Sequence, residues 1–416
     1  MTTALETHCQ EVQRRCKILS ALAPQAWIAT PAVEHQERKL LANLAAAAEL
    51  GASEVFASPR KREDAFIYWA ARRLSEPEAD VMPALLEALG ESGKAADGAR
   101  DALDLLPPAD DQAIAGAERW ETVPIRLSFL GAAAHGDTSV SQALLNNALS
   151  QEPETQTAAL AVAASDPQRA AATFGDWFAA GNTAVPATAK HTAAFAGLMR
   201  GDETAREALP RLFADAPDAQ AQHQAARLMA LAGGERYRAD LLAYSESDPV
   251  RGTTLLGIHG HPANLEALVE RLERPETAEA AAEAWWRITG LSLPRRPMMQ
   301  ALGEEQSETR GEVPDAEWAD GWLQQQRQQL PEAEQLLFGR PVERGTLATA
   351  CRSWAGTASA DLLAQARLVI GPAPPLQPQQ WIVQRLNRLD TAGLRKATTV
   401  APEAATADPW EYGHYA

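Results

Sequence analysis

The sequence has few of the features that mark disulfide-bonded, membrane-spanning or secreted proteins. Its 416 residues include three cysteines, Cys9, Cys16 and Cys351, which are too few and too unevenly spaced for a disulfide framework. No stretch approaches the about eighteen uninterrupted apolar residues that a transmembrane helix needs. Residues 1–20 carry several charges and no apolar signal-peptide segment, so we expect a cytoplasmic protein.

Sequence motifs of common enzyme classes are also missing. The chain contains no phosphate-binding glycine loop, no nucleophile elbow and no zinc-protease signature, and Gly233-Gly234 is better interpreted as a loop. The acidic pairs Asp110-Asp111 and Glu304-Glu305 lie in predicted solvated loops, which argues against a glycosidase-like carboxylate pair. We therefore predict a protein that is not an enzyme, with no catalytic residues and no cofactor.

Positive charge is scarce relative to negative charge. The chain has 38 Lys and Arg against 55 Asp and Glu, which gives a formal net charge of −17. This balance argues against electrostatic binding to nucleic acid or to anionic lipid. Hydrophobic residues make up 46% of the chain and charged residues 22%, a composition that allows a sizeable buried core.

Short apolar helical segments recur along the chain. Their spacing is roughly 25 to 35 residues, the length of one two-helix repeat. Alanine dominates the apolar positions and period-two alternation is rare, so helices are favoured over strands. The segments begin near Tyr68, Arg100, Leu127, Ala159, Thr192, Arg227, Thr253 and Ala282.

The turns between these segments contain residues that end one helix and begin the next. Gly201-Asp202 joins a glycine that can end a helix in the left-handed conformation to an aspartate that can cap the following helix. Asp248-Pro249 places a cap beside a proline suited to the first helical turn. Gly260-His261-Pro262 resembles these turns, and Pro275-Glu276-Thr277 represents a second type. Two alternating turn types predict an all-α fold in which HEAT-like helical hairpins form an α-solenoid.

The domain organisation follows from where this pattern starts and stops. Thr30-Pro31 opens a long helix that Gly51 ends, and we predict that this helix caps the repeats. After Leu291 the prolines and glutamates replace the periodic apolar residues. We predict capping helices at 1–50, HEAT-like repeats at 51–291, a mobile acidic, proline-bearing loop at 292–314, a helical region at 315–395 and a disordered tail at 396–416.

Two groups of residues suggest metal binding or acid–base chemistry. His8, Cys9 and Cys16 could supply three ligands, but a structural zinc site needs a fourth. Two cysteines seven residues apart on a helix are also typical of a buried face, so we favour core cysteines and predict no bound metal. His259 and His261 lie in an inter-helix turn, where we expect exposed rings rather than a site.

Tryptophan is the residue type with the most unusual distribution. Seven of the 11 tryptophans lie in the last third of the chain. Trp318 and Trp322 share a helix face, whereas the adjacent Trp285 and Trp286 point about 100° apart. One interpretation is that these rings seal the end of the repeats against the C-terminal helices, and this is the one we favour. The other is an aromatic anchor for a partner protein, with Trp318, Trp322 and Trp286 as the candidate partner-binding residues.

Several stretches resemble an uncharacterised bacterial HEAT-like family encoded beside type VI secretion genes. They are residues 255–272, 284–293, 336–342 and 381–386, and the steps Ile288-Thr289-Gly290 and Gly339-Arg340-Pro341 carry most of the resemblance. His261 stands where that family usually has an aspartate. The resemblance implies a cytoplasmic adaptor or co-chaperone-like protein of effector delivery, whose partner is a secreted effector or a spike component. It implies no catalytic residues.

Three classes of function remain open at this stage. A protein-binding scaffold is favoured by the repeats, by the missing motifs and by the resemblance. An immunity protein that neutralises a cognate toxin would make use of the acidity against a basic enzyme. A solenoid enzyme such as a DNA glycosylase would need a basic surface, which a net charge of −17 disfavours.

Overall fold

The computed structural model describes residues 3–91, 93–106, 152–166, 169–182, 184–297, 312–372, 376 and 381–394. Nineteen α-helices account for most of these residues, which confirms the predicted all-α class. They are α1 Ala4–Leu22, α2 Thr30–Glu49, α3 Ala52–Val55, α4 Arg62–Ser75, α5 Glu78–Gly90, α6 Lys94–Leu105, α7 Pro153–Ala163, α8 Ala172–Phe178, α9 Ala187–Leu198, α10 Glu203–Ala214, α11 Ala219–Ala232, α12 Arg238–Ser247, α13 Pro249–His259, α14 Asn264–Leu272, α15 Ala278–Thr289, α16 Ala316–Gln326, α17 Arg344–Ser353, α18 Ser359–Ile370 and α19 Ile382–Thr391.

The chain divides into two compact units. The first contains Met1–Trp177, Gly181–Gly201 and Ala348–Arg395, and the second contains Phe178–Ala180, Asp202–Leu347 and Lys396–Ala416. The predicted repeat region at 51–291 therefore contributes helices to both units. Several predictions lie outside the described residues, namely the segment near Leu127, the acidic pairs Asp110-Asp111 and Glu304-Glu305, and the tail at 396–416.

The first unit begins with two long helices that pack against each other. Thr3 caps α1, because its hydroxyl accepts from the Glu6 backbone while the Glu6 carboxylate accepts from the Thr3 backbone. As predicted, α2 begins at Thr30, and Gly51 follows its end with a left-handed φ of 83°. Apolar side chains on one stripe of α2, including Leu40 and Leu44, are completely buried in the core of this unit.

A buried carboxylate fixes the last described helix of the first unit. Glu37 of α2 accepts hydrogen bonds from the backbone N–H groups of Ile382, at 2.9 Å, and Val383, at 3.2 Å. These groups lie at the start of α19 and have no partner within the helix, so the carboxylate acts as a cap from another helix. Burial outweighs these hydrogen bonds and raises the pKa of Glu37 to about 7.

The predicted turns around α10 and α13 have the expected backbone. Asp202 caps α10 by accepting from the Thr204 backbone N–H at 3.0 Å, and Gly201 before it has a left-handed φ of 69°. Asp248 caps α13 in the same way, with Pro249 in the first turn. Gly260 ends α13 in the left-handed conformation.

Helices of the second unit pack against their neighbours in the sequence and also against helices two positions away. Neighbours in sequence pair as α10 with α11, α12 with α13, and α14 with α15, whereas α11, α13 and α15 also contact one another in that order. Small residues allow these close approaches, because a Cβ added at Gly257 would lie 2.7 Å from the Cα of Ala284. Stacked helical hairpins require both kinds of contact. A complete solenoid stays a prediction.

Strands in the described residues are short and form three antiparallel two-stranded ladders. The strand β1 (Ile28–Ala29) pairs with β6 (Trp354–Ala355), β2 (Arg295–Pro297) with β3 (Glu312–Pro314), and β4 (Leu336–Leu337) with β5 (Arg340–Pro341). The second ladder joins the two ends of the loop predicted at 292–314, a pairing that the sequence pattern did not indicate. The centre of that loop, at 298–311, lies outside the described residues. In the described part of the chain, none of the helices is both long enough and apolar enough to span a bilayer.

Candidate functional site

The candidate site lies in the second unit, where α15 and α16 carry the predicted tryptophans. Trp285 of α15 is completely buried, and Trp322 of α16 packs against it with the ring centroids 5.3 Å apart and the planes at 72°. This edge-to-face geometry is favourable for aromatic pairs. Trp322, which is half-buried, therefore packs α16 against α15, and a seal at the end of the repeats stays a prediction.

The N-terminus of α16 is fixed by two sets of hydrogen bonds. The Asp315 side chain caps the helix by accepting from the Trp318 backbone N–H at 3.1 Å. The Asp315 backbone N–H donates to the carbonyl oxygen of Pro294 at 2.9 Å, next to the ladder formed by β2 and β3. Ala316, Ala319 and Leu323 form the buried face of the helix, which packs against α14. The opposite face of α16 is therefore held in a defined orientation.

Trp318 lies on this opposite, exposed face. Its exposed fraction is 39%, a high value for the largest apolar side chain. Glu317 and Asp320 on either side of it are also exposed, and Glu317 forms an ion pair with Arg296 at 3.5 Å. One helix thus carries a tryptophan that seals the core and another that contacts solvent, four residues apart.

Trp286, the third predicted partner-binding residue, packs against the chain itself. Its ring lies 4.8 Å from the ring of Phe338, with 52° between the planes. Phe338 belongs to the turn of the hairpin formed by β4 and β5, and it has a left-handed φ of 52°. Trp285 and Trp286 point in different directions, as predicted, and each has its own partner inside the second unit. Trp286 is half-buried against Phe338 of the same chain.

The hairpin at 335–342 caps the C-termini of α11, α13 and α15. The Gln335 side chain donates to the carbonyl oxygens of Ala230, at 3.3 Å, and Ile258, at 3.1 Å. The Leu336 backbone N–H donates to Gly260 at 2.8 Å. The last carbonyl groups of a helix have no partner within it, so a cap from elsewhere satisfies them.

The same hairpin brings together the two steps on which the resemblance was based. The Phe338 backbone N–H donates to the carbonyl oxygen of Arg287, and the Gly339 N–H donates to that of Ile288, both at 2.7 Å. A Cβ added at Gly339 would lie 2.8 Å from the Thr289 oxygen. Ile288-Thr289-Gly290 and Gly339-Arg340-Pro341 are therefore in direct backbone contact. The close approach of the two backbones explains the glycines at 290 and 339.

The histidine pair is a structural feature of the α13–α14 turn. His259 is completely buried, so the prediction of an exposed ring is wrong for this residue. Its Nδ1 lies 3.1 Å from the amide nitrogen of Asn264 and its Nε2 lies 3.0 Å from the carbonyl oxygen of Gly234. Because the amide donates to Nδ1, the proton sits on Nε2 and is donated to Gly234. Burial lowers the pKa of His259 to about 4, so the ring is neutral at pH 7.

His261 is half-buried and stacks on His259 with the ring centroids 5.8 Å apart. Its Nδ1 accepts from the Ala263 backbone N–H at 3.2 Å, and its Nε2 lies 3.1 Å from a carboxylate oxygen of Glu235. Both ring nitrogens are thus occupied, one by a neighbour in the same turn and the other by a residue that follows α11. The pair organises the turn and presents no open position for a ligand.

The cysteines near the N-terminus lie in or against the core of the first unit. Cys9 is buried, and Cys16 packs against the same apolar cluster. Burial raises the pKa of both thiols, that of Cys16 to about 12, and so favours the unreactive protonated form. His8 instead hydrogen-bonds Asn43 at 2.9 Å. No group of three or more His, Cys, Asp or Glu within the described residues could hold a metal ion.

Comparison with known proteins adds no family assignment. No family model, curated protein or solved structure matches this chain. The resemblance to the family encoded beside type VI secretion genes therefore stays a prediction.

Proposed function

We propose that this protein is a non-enzymatic, helical-repeat scaffold that binds a protein partner through the surface around Trp318. The supporting observation is that Trp318 is 39% exposed on a helix whose cap, ladder and buried face fix its orientation. Tryptophan is enriched among the residues that contribute most to protein–protein affinity. A fixed helix also loses little conformational freedom when it binds.

The two other tryptophans have a supporting role in this proposal. Trp322 connects α16 to the buried Trp285, and Trp286 holds the hairpin through Phe338. They position the surface, whereas Trp318 contacts the partner. This division narrows the three predicted partner-binding residues to one.

We further propose, from the resemblance, that the scaffold is an adaptor or co-chaperone-like protein of type VI secretion effector delivery. It would act in the cytoplasm on a secreted effector or on a spike component. The contact between the steps at 288–290 and 339–341 supports the idea that these residues are a structural signature of one fold. The role in secretion itself is based on the resemblance alone.

An immunity protein is the second candidate, because the formal net charge of −17 suits a basic toxin. Both candidates would bind through the same surface, but binding has a different effect on the activity of the bound protein. An immunity protein abolishes the activity of its toxin, whereas an adaptor leaves the effector intact for delivery.

Affinity capture of the full chain from its native organism tests the proposal. We expect Trp318→Ala to lose the captured partner, with an affinity reduced by about 2 kcal/mol or more. Its free energy of unfolding should fall by less than about 1 kcal/mol, because the side chain is already partly exposed. Chemical denaturation of the same sample measures the second quantity.

Trp322→Ala is the matched control on the same helix. It should lower the free energy of unfolding by about 2 kcal/mol or more, because Trp322 packs against a buried ring. If Trp318→Ala retains the partner at unchanged affinity, the surface around Trp318 is not the binding surface and the proposal is wrong.

A further inference from the structure

Three arginines of the first unit lie together at the C-terminal end of α7. Arg200 follows α9, Arg367 belongs to α18, and Arg169 lies in the segment between α7 and α8. Among the described residues, Asp166 is the carboxylate that pairs with this group, 3.6 Å from Arg169. Three positive charges and one negative charge leave a local excess of two positive charges. This group is therefore opposite in sign to the chain as a whole, which has a formal charge of −17.

The Arg200 guanidinium is fully used by the fold. It donates to five carbonyl oxygens, which include those of Ala164 at 3.1 Å, Asp166 at 2.7 Å and Arg169 at 2.8 Å. The Phe174 ring lies 4.6 Å from its Cζ atom. Arg200 thus satisfies carbonyl groups that the end of α7 leaves open. It contributes positive charge to the group but has no N–H left for a ligand.

Arg367 is the member of the group whose charge the described residues do not balance. One of its amino groups donates to the Ser165 hydroxyl at 3.2 Å, and its Cζ atom lies 5.4 Å from the centre of the Phe195 ring. Its Nε is buried and forms no hydrogen bond. No carboxylate of the described residues forms an ion pair with it. The side chain as a whole is half-buried, so the guanidinium is not sealed from solvent.

Comparison with other arginines shows why this arrangement calls for a ligand. Burial lowers the pKa of three further arginines, and a neighbouring carboxylate opposes the shift in each of them. The pairs are Arg200 with Asp166, Arg385 with Glu37 and Arg388 with Asp104. Burial, followed by the positive charge of Arg200, lowers the pKa of Arg367 to about 10. A partly buried charge beside a like charge is costly unless an opposite charge accompanies it.

We propose that the group formed by Arg169, Arg200 and Arg367 binds a divalent oxyanion of the phosphate type, with Arg367 as the residue that contacts it. A guanidinium presents its N–H groups in a planar fork that matches the oxygens of such an anion. A dianion would neutralise the local excess of two positive charges, whereas a carboxylate would neutralise half of it. This inference does not depend on the proposed protein-binding function.

Isothermal titration calorimetry of the full chain with inorganic phosphate at pH 8 tests the site. We expect phosphate to bind and acetate to bind at least about tenfold more weakly, because acetate carries one charge. Arg367→Gln should raise the Kd for phosphate about tenfold or more. Arg62→Gln is the matched control in the same unit, because that arginine is exposed and already pairs with Asp101 at 2.6 Å. It should leave phosphate binding unchanged.

Thermal melting separates a ligand site from a purely structural arginine. Without phosphate, Arg367→Gln should melt at the same temperature as the unchanged chain or higher, because it removes an unbalanced charge. Phosphate should then raise the melting temperature of the unchanged chain more than that of the variant. The general stabilising effect of phosphate on proteins acts on both and cancels in the comparison. A lower melting temperature for the variant without phosphate, with equal responses to phosphate, would mean that Arg367 only holds the end of α7.

Asp166→Asn provides a test that does not depend on a loss. The change removes the negative charge of the group while keeping the shape of the side chain, so it should tighten phosphate binding by about threefold or more. Unfolding cannot produce a gain in affinity.

O-phosphoserine identifies the source of the anion. Binding at least as tight as that of inorganic phosphate assigns the site to a phosphate group on a larger molecule, and weaker binding assigns it to free phosphate. Absence of phosphate binding to the full chain, or equal phosphate binding by the unchanged chain and Arg367→Gln, overturns the site. Equal binding of acetate and phosphate overturns the divalent anion.

Discussion

At the scale of single residues, His259 is a polar side chain that is completely buried. Asn264 donates to one ring nitrogen, and the other donates to the carbonyl oxygen of Gly234. These contacts join the end of α13 to the start of α14 and to the turn after α11. A charged ring would keep its donor to Gly234 but would face the Asn264 amide with a second donor. Burial and this hydrogen bond therefore both favour the neutral ring.

We predict that His259 makes the second unit less stable in mild acid. The pKa is about 4 in the folded state and 6.5 for an unperturbed histidine, so the unfolded chain binds the proton first as the pH falls. The stabilisation is complete above about pH 6.5 and is lost as the pH falls toward 4, by about 3 kcal/mol in total. Urea denaturation at a series of pH values measures this change. His259→Gln should flatten the profile across this interval, and an unchanged profile would contradict the assignment.

Asp202 allows a second prediction at the same scale. Asp202→Ala removes the side chain that accepts from the Thr204 backbone and hydroxyl, and should lower the free energy of unfolding by about 0.5–2 kcal/mol. Partner binding should not change, because the cap lies on α10, outside the surface around Trp318. Asp215→Ala, at the opposite end of the same helix, should leave stability unchanged or slightly raised. Equal losses for both variants would argue against the cap.

At the scale of structural elements, the hairpin at 335–342 joins three helices of the second unit. Its hydrogen bonds satisfy carbonyl groups at the ends of α11, α13 and α15, and its Phe338 packs against Trp286. Three helices that are far apart in the sequence thereby share one cap. The hairpin fixes their C-termini relative to one another.

We predict that Gly339→Ala weakens this cap. Gly339 has a φ of 75°, which costs an alanine about 1–2 kcal/mol, and the added Cβ would lie 2.8 Å from the Thr289 oxygen. The free energy of unfolding should therefore fall by about 2 kcal/mol or more. Gly345→Ala is a suitable control, because an added Cβ there lies 4.0 Å from its nearest neighbour, a Glu343 side-chain oxygen. Similar stability of the two variants would contradict the role of the hairpin.

The sequence predicted those elements whose signals are local. Gly201-Asp202, Asp248-Pro249 and Gly260 end and begin helices through residues next to each other in the chain, so their turns could be read from the sequence. The hairpin could not be predicted, because Gln335 donates to residues 77 and 105 positions away. Helical spacing placed Trp318 and Trp322 on one side of α16, but it cannot say which of them meets the core. The buried His259 ring hydrogen-bonds Gly234, 25 residues earlier, and no local sequence pattern indicates that contact.

At the scale of the whole molecule, the protein is an all-α chain of two compact units with a formal net charge of −17. A formal charge of −17 steers basic partners toward the protein over distances of about 10 Å at moderate salt, whereas an exposed aromatic acts only on contact. Binding to the proposed partner should therefore slow as salt is added, mainly through a lower association rate. The lifetime of the complex should depend on Trp318.

Hydrogen exchange of the full chain, with and without the captured partner, measures the location of the binding surface most directly. Partner binding should slow exchange in α16, at 316–326, because a partner packed over its exposed face excludes water from the backbone there. Exchange in α13 should change little, since that helix is already largely buried. Slower exchange confined to other parts of the chain, with α16 unaffected, would contradict the proposal that the surface around Trp318 binds the partner.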